Sequence, residues 1–201
     1  MQGEAISITI MAGGRSSRLG TNKALVEVGG QRIIERILAR VYGLGDEVLL
    51  ITNTPDEYAY LGLPSFVDLI PGKGPLGGLY TALSCARNEH ILALSCDQPF
   101  LNRDLLAYLI GLRRGYDVVV PLDREGYPQS MHAVYGKGCL DPIRRCLEAD
   151  RLKVIGFFPS VRVREVAGDE IDRFDPQRLS FLNVNTPEDL AEARRLAERL
   201  G

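Results

Sequence analysis

The sequence predicts an α/β protein in three layers, α/β/α, with helices on both faces of a mostly parallel central sheet. Three observations carry that expectation. Short apolar or β-branched runs alternate with longer stretches of helical period along the chain. Several of the strand-length runs are nearly unbroken in Val, Ile and Leu, the pattern of strands covered on both faces. These runs also stop abruptly at Gly, Asn, Asp or Pro, where a strand hands over to a loop.

The first strand is Ile6-Ser7-Ile8-Thr9-Ile10-Met11, ending at Gly13-Gly14. Ile33, Ile34, Ile37, Leu38 and Val41 recur at helical spacing, and Gly43 and Gly45 terminate that helix. Residues 47–52 carry Val48-Leu49-Leu50-Ile51 and predict a buried strand. After Gly72-Lys73-Gly74-Pro75, a second helical stripe runs through Leu76, Leu79, Tyr80 and Leu83. Ile91-Leu92-Ala93-Leu94 reads as a central strand that enters Ser95-Cys96-Asp97-Gln98-Pro99. Asn102 is placed to cap a helix bearing Leu105, Leu106, Leu109 and Leu112. Residues 117–121 predict the next strand, and residues 127–135 a further one with an irregular or edge start at Pro128. A helix over residues 140–148 and a strand near 161–166 follow. The last helix starts with Thr186 as cap, Pro187 in the first turn and Asp189 three residues on. No repeat, low-complexity tract or linker interrupts the pattern, so one domain is expected across residues 1–201.

Composition narrows the function. A chain of 201 residues can bury a sizeable core without disulfides or metals. Its 45% hydrophobic and 25% charged residues are the balance of a soluble protein, and a net charge of -2 argues against general nucleic-acid binding. No apolar run approaches the roughly 20 residues of a membrane helix, and residues 1–5 are too short and acidic for a signal peptide. A cytoplasmic protein without nucleic-acid or membrane contact is the expectation. Cys85, Cys96, Cys139 and Cys146 form no Cys-x-x-Cys knuckle, and only His90 and His132 could complete a zinc set. All four cysteines are expected to be small buried hydrophobes, and His132 a core histidine.

Ligands of open α/β sheets bind outside the carboxyl ends of the strands. Three such ends carry unusual residues: 11–23, 52–54 and 95–100. The first joins small residues to Arg15, Arg18 and Lys23. Glycines there let the backbone approach a phosphate chain, and the cations can neutralise it. It is neither a Walker loop nor a Gly-x-Gly-x-x-Gly fingerprint, which excludes the usual dinucleotide oxidoreductase. Lys23 is expected to be exposed in the free protein. Asp97, where an apolar strand meets a proline turn, can hold Mg²⁺ or make local turn bonds. Asn53 has the donor and acceptor to read a base or ribose.

The longer pattern resembles the molybdenum cofactor guanylyltransferases, a family within the glycosyltransferase-A-like nucleotidyltransferases. The segment from Met11 to Lys23 matches that family's signature except at Met11, Leu19 and Asn22, where the family has Leu, Met and Asp. Thr52-Asn53, Gly74-Pro75-Leu76-Gly77-Gly78 and Cys96-Asp97-Gln98-Pro99-Phe100-Leu101 continue the match, as do His132-Ala133-Val134-Tyr135 and Asn183-Val184-Asn185-Thr186-Pro187-Glu188-Asp189. Ser130-Met131 stand where the family has Pro-Leu. The resemblance implies a Rossmann-like nucleotidyltransferase fold and transfer of GMP from GTP to molybdopterin, with release of pyrophosphate. It implies Arg18, Lys23 and Asp97 as catalytic residues, with Mg²⁺ on Asp97. Met11, Ala12, Gly13, Gly14, Lys23, Asn53, Asp68 and Asp97 would contact nucleotide, and Asn183 and Asn185 the pterin. Cofactor-biosynthesis or molybdoenzyme-maturation proteins would be its partners. The rival readings are a cytidylyltransferase or sugar-phosphate nucleotidyltransferase of the same fold and, from another class, a non-catalytic nucleotide sensor or cofactor chaperone.

Overall fold

Residues 5–13 and 21–200 are described by the structure, a computed structural model. The elements run β1 (Ser7–Met11), β2 (Glu27–Val28), β3 (Gln31–Arg32), α1 (Ile33–Val41), β4 (Glu47–Ile51), β5 (Ser65–Phe66), α2 (Gly74–Cys85) and β6 (His90–Ser95). They continue with α3 (Arg103–Gly111), β7 (Val118–Pro121), β8 (His132–Gly136), α4 (Leu140–Glu148), β9 (Val163–Val166), α5 (Gly168–Asp172) and α6 (Pro187–Leu200). Short 3₁₀ turns fill connections, among them Lys23–Leu25 and Pro55–Leu61.

Seven strands form the main sheet in the order β5-β4-β1-β6-β8-β7-β9. All neighbours are parallel except β8, which is antiparallel to β6 and β7. β1 lies inside, with Ile8 opposite Val48 and Leu92, and Met11 opposite Ile51 and Ser95. The carboxyl ends of β1, β4 and β6 therefore meet at one edge.

Strand alternation divides the core in two. Ile8, Ile10, Leu92 and Leu94 face α1, α3 and α6, packing with Ile34, Ile37, Leu105 and Ala193. Leu49, Ile51, Ile91 and Ala93 face α2 and α4, packing with Leu79, Leu83, Ile143 and Cys146. Each fully buried Leu or Ile stabilises the fold by about 1.5–3 kcal/mol, so two such layers hold the sheet between its helices. This is the three-layer, mostly parallel arrangement the sequence predicts.

Local signals explain the boundaries. Asn102 Oδ1 accepts a hydrogen bond from Leu105 N at 3.0 Å and caps α3. Thr186 Oγ1 accepts from Asp189 N at 3.1 Å, while Asp189 Oδ2 accepts from Thr186 N at 2.8 Å, closing the box that starts α6. At Gly45 a Cβ would lie 2.6 Å from Ile6 O, so only glycine lets the α1–β4 link pass β1.

Three expectations need correction. β8 begins at His132 rather than near Tyr127. Residues 123–127 instead form a turn in which Asp123 Oδ1 accepts from Glu125 N and Tyr127 N at 3.0 and 2.8 Å. Pro128, lacking an N–H, follows that turn. Second, Cys85 is partly exposed, whereas Cys96, Cys139 and Cys146 are buried; all four are free thiols. Burial pushes the thiols of Cys96 and Cys139 up to about 12, which makes both inert. Third, β2, β3, β5 and α5 have no counterpart in the sequence reading, being too short to show a period. Among the described residues, no helix is long and apolar enough to cross a membrane.

Candidate active site

The edge where β1, β4 and β6 end positions Asp97. Cys96 N donates to Met11 O at 3.2 Å, and Val184 N donates to Asp97 O at 2.8 Å, pinning the turn from both sides. Ser95 Oγ donates to Asp97 Oδ1 at 2.6 Å, leaving Oδ2 directed toward Lys23.

Lys23 reaches this carboxylate from the 3₁₀ turn that opens at Asn22, whose Oδ1 accepts from Ala24 N at 3.1 Å. Its ammonium lies 3.7 Å from Asp97 Oδ2 and donates to Asn185 Oδ1. The Lys23 and Asp97 side chains are 18% and 17% exposed, so the expectation of an exposed lysine is overturned. Asn185, brought in just ahead of α6, covers the ammonium. Residues 23, 97 and 185 thus form one cluster.

Asn22 is also explained by its surroundings. Its Nδ2 donates to Glu57 Oε2 at 2.8 Å, a bond that an aspartate would replace with like-charge repulsion. Tyr58 OH lies between Asn22, with Nδ2 at 2.8 Å, and Ala12 O at 3.4 Å; burial raises its phenol well above the ordinary range. It braces the root of the loop as a neutral group.

Beside the cluster is a cavity of about 480 Å³ bounded by Met11, Gly13, Thr52, Asn53, Asp68 and Gly78. Asn53 Nδ2 donates to Asp68 Oδ2 at 2.8 Å, and Asp68 N donates to Asn53 Oδ1 at 3.1 Å. A Cβ at Gly78 would sit 3.2 Å from Met11 Cε and 3.6 Å from Asp68 Oδ1, so a glycine keeps that wall open. Ser95 and Met131 also line the cavity, which joins it to the Asp97 turn.

Of the residues picked out in the sequence, Met11, Gly13, Asn53 and Asp68 line the cavity, and Lys23, Asp97 and Asn185 gather next to it. The Ala12 amide donates to Ile51 O at 2.9 Å and so belongs to the sheet edge. Asn183 Nδ2 donates to Phe181 O at 3.2 Å. Gly14 and Arg18 lie outside the described residues. Sequence reasoning missed Ser95 as the group that orients Asp97; a hydroxyl two residues before a strand-end carboxylate was the available signal. It also missed Asn185 as the partner of Lys23, for which a separation of 162 positions offers no local signal.

A metal ion fits Asp97 within limits. Among the described residues there is no group of three His, Cys, Asp or Glu that could cage one. A lone hard carboxylate beside a cavity suits Mg²⁺, which is commonly held by one or two carboxylates, waters and substrate phosphates.

Behind the turn, His132 is fully buried, with Nδ1 3.2 Å from Gln98 Oε1 and its ring edge-on to Phe181 at 5.1 Å. Burial pushes its pKa down to about 3, so it is neutral and structural, the core histidine expected.

Comparison with known proteins adds the following. Residues 8–159 match the family model of the MobA-like NTP transferase domain. A probable molybdenum cofactor guanylyltransferase from Pelotomaculum thermopropionicum is 41% identical over 190 residues, covering 94% of this chain and 92% of that one. Another from Carboxydothermus hydrogenoformans is 37% identical over 184 residues, covering 92% of each. Among solved structures, molybdopterin-guanine dinucleotide biosynthesis protein A from Archaeoglobus fulgidus superposes with a TM-score of 0.83 at 23% identity, over 96% of this chain and 99% of that one, a likeness of fold.

Proposed function

The chain belongs to the MobA-like NTP transferase family, and from that premise we propose that it transfers GMP from GTP to a molybdopterin-type molybdenum cofactor. Pyrophosphate leaves and the guanine dinucleotide cofactor forms. It is a nucleotidyltransferase, and its relatives carry the guanylyltransferase name over nearly their full length. The observation that supports the site assignment best is the Lys23–Asp97 pair, 3.7 Å apart and joined through Ser95 to the cavity formed by the ends of β1 and β4.

In this reading the nucleoside occupies the cavity, where the Asn53 amide and Asp68 carboxylate offer both donor and acceptor atoms. The triphosphate follows Gly13 and the loop beyond it, through Gly14 and Arg18. Lys23 exchanges its contacts with Asn185 and Asp97 for phosphate oxygens, a charge-assisted bond worth about 1.5–3 kcal/mol. The terminal phosphate oxygen of the pterin attacks the α-phosphorus in line; its P–O bond forms as the bond to pyrophosphate breaks. Such transfers need positioning and charge neutralisation rather than a covalent enzyme intermediate. Asp97 would hold Mg²⁺, which supplies charge neutralisation to the phosphates when bound. Asn183 and Asn185 flank the approach for the pterin. A cytoplasmic setting, one nucleotidyltransferase domain over residues 1–201, and transfer of the product to molybdoenzyme-maturation proteins complete the proposal.

The test is an incubation of the purified protein with Mg²⁺, molybdopterin and each of GTP, CTP, UTP and ATP, with the attached nucleotide read by mass. GMP attachment is the expected result. Equal or better attachment of CMP would overturn guanylyl selectivity and leave nucleotidyl transfer standing; no attachment from any triphosphate would favour the sensor or chaperone reading.

A further inference from the structure

We propose that the protein carries a second anion site, remote from the triphosphate loop, where Arg36, Arg40 and Arg103 converge on a cavity of about 550 Å³ to take a phosphate-class oxyanion. Its lining shares no residue with the cavity beside Asp97.

The site is built from α1 outward. Arg36 and Arg40 are one turn apart and share a face of that helix. The Arg36 guanidinium is fixed in place: Nε donates to Pro99 O and Nη1 to Val28 O, both at 3.2 Å, and its carbon lies 5.3 Å from the Phe100 ring centre. Gly29 makes room for it with φ 61°, since a Cβ there would stand 3.1 Å from Arg36 Nη1. Arg103 is fixed as well, its Nη1 donating to Arg40 O at 3.0 Å and Tyr42 O at 2.5 Å at the end of α1.

What distinguishes these three cations is that they line one cavity without ion-pairing to an acid. Arg87, Arg144, Arg162, Arg164, Arg178 and Arg195 each pair with an Asp or Glu. Among the described residues, Arg36, Arg40 and Arg103 form no such pair; two of them are anchored by carbonyl oxygens instead. Asp104 and Asp175 line the same cavity, outnumbered by the three arginines, and the Asp175 Oδ1 and Oδ2 are taken by Leu179 N and Ser180 N at 3.1 and 2.8 Å. Burial and the neighbouring Arg40 both disfavour the charge on Arg36. An oxyanion relieves this crowding, and the guanidinium fork matches phosphate oxygens in geometry. Because Arg36 holds the Pro99 carbonyl, two residues beyond Asp97, an occupant would also brace the Asp97 turn from behind.

The experiment is a calorimetric titration of nucleotide-free protein with inorganic phosphate and, separately, inorganic pyrophosphate at low ionic strength. It compares the wild type with Arg40→Gln/Arg103→Gln and with Arg40→Gln alone, each checked by thermal melt. Arg40 and Arg103 are both exposed and outside the proposed active site, and the Arg40→Gln arm keeps the carbonyl bonds of Arg103. The wild type is expected to show a binding event that the double variant loses, with affinity there falling about tenfold or more. The tighter of the two probes identifies whether one phosphate group or two is recognised. Equal stoichiometry and affinity in all three proteins overturns the site. Binding is read here without transfer, so this result stands or falls apart from the guanylyltransferase reading.

Discussion

Asp97 has two oxygens with different partners: Oδ1 accepts a hydrogen bond from the Ser95 hydroxyl at 2.6 Å, and Oδ2 faces the Lys23 ammonium at 3.7 Å. Asparagine in its place keeps an oxygen for Ser95 and loses the charge. Asp97→Asn is therefore expected to melt close to the wild type while pyrophosphate release falls about 100-fold or more, as when one electrostatic contributor to a transition state is removed. Near-normal release at every Mg²⁺ concentration would remove Asp97 from the mechanism. His132 makes a different prediction. Its folded pKa of about 3 lies below the unfolded value near 6.5, so the unfolded chain binds a proton that the native state refuses between those limits. The native state is fully favoured above pH 6.5 and loses about 1.4 kcal/mol per pH unit from this group as pH falls toward 3. His132→Asn can keep a polar contact to Gln98 and abolishes the titration, so urea unfolding of the variant should show a shallower pH slope between 4 and 6 (an interval inside the window from about 3 to 6.5). An unchanged slope would mean the imidazole titrates normally.

At the scale of the element, the start of α6 joins stability to the site. The Thr186–Asp189 box closes the first turn, and the same Asp189 Oδ2 accepts from Asn185 N at 2.9 Å. Asn185 in turn holds the Lys23 ammonium. Thr186→Ala should cost about 1 kcal/mol of stability, the usual penalty for losing a side-chain cap. It should also raise the KM for GTP, because Asn185 loses part of its support. A lowered Tm with unchanged KM would confine the cap to a structural role. The cap was legible from Thr186-Pro187-Glu188-Asp189 alone, since capping is decided within four residues. The start of β8 was not legible. Alternation from Tyr127 to Tyr135 looks like one strand, and the Asp123 turn that removes its first half rests on hydrogen bonds made by a residue ahead of the run.

For the whole molecule, a ligand that binds only the native state stabilises it by mass action, about 2.7 kcal/mol at a hundredfold excess over its Kd. For a chain of this size that corresponds to a Tm rise of roughly 5–10 °C. GTP with Mg²⁺ should produce such a rise, CTP a smaller one, and Lys23→Ala should diminish the GTP effect; equal shifts for both nucleotides would argue against guanine selectivity. The sequence by itself determined the three layers, because period, apolar runs and caps are local and each strand had to be covered on both faces. It also singled out the first loop and the turn at Asp97 as candidate site elements, since glycine, cation and strand-end carboxylate carry their chemistry wherever the chain places them. Tertiary structure alone decided that β8 runs antiparallel, that Lys23 is sheltered by Asn185, and that Arg36, Arg40 and Arg103 share one cavity. Those outcomes join residues far apart in sequence, and no local pattern records which distant side chains the packing of helices on a sheet will bring together.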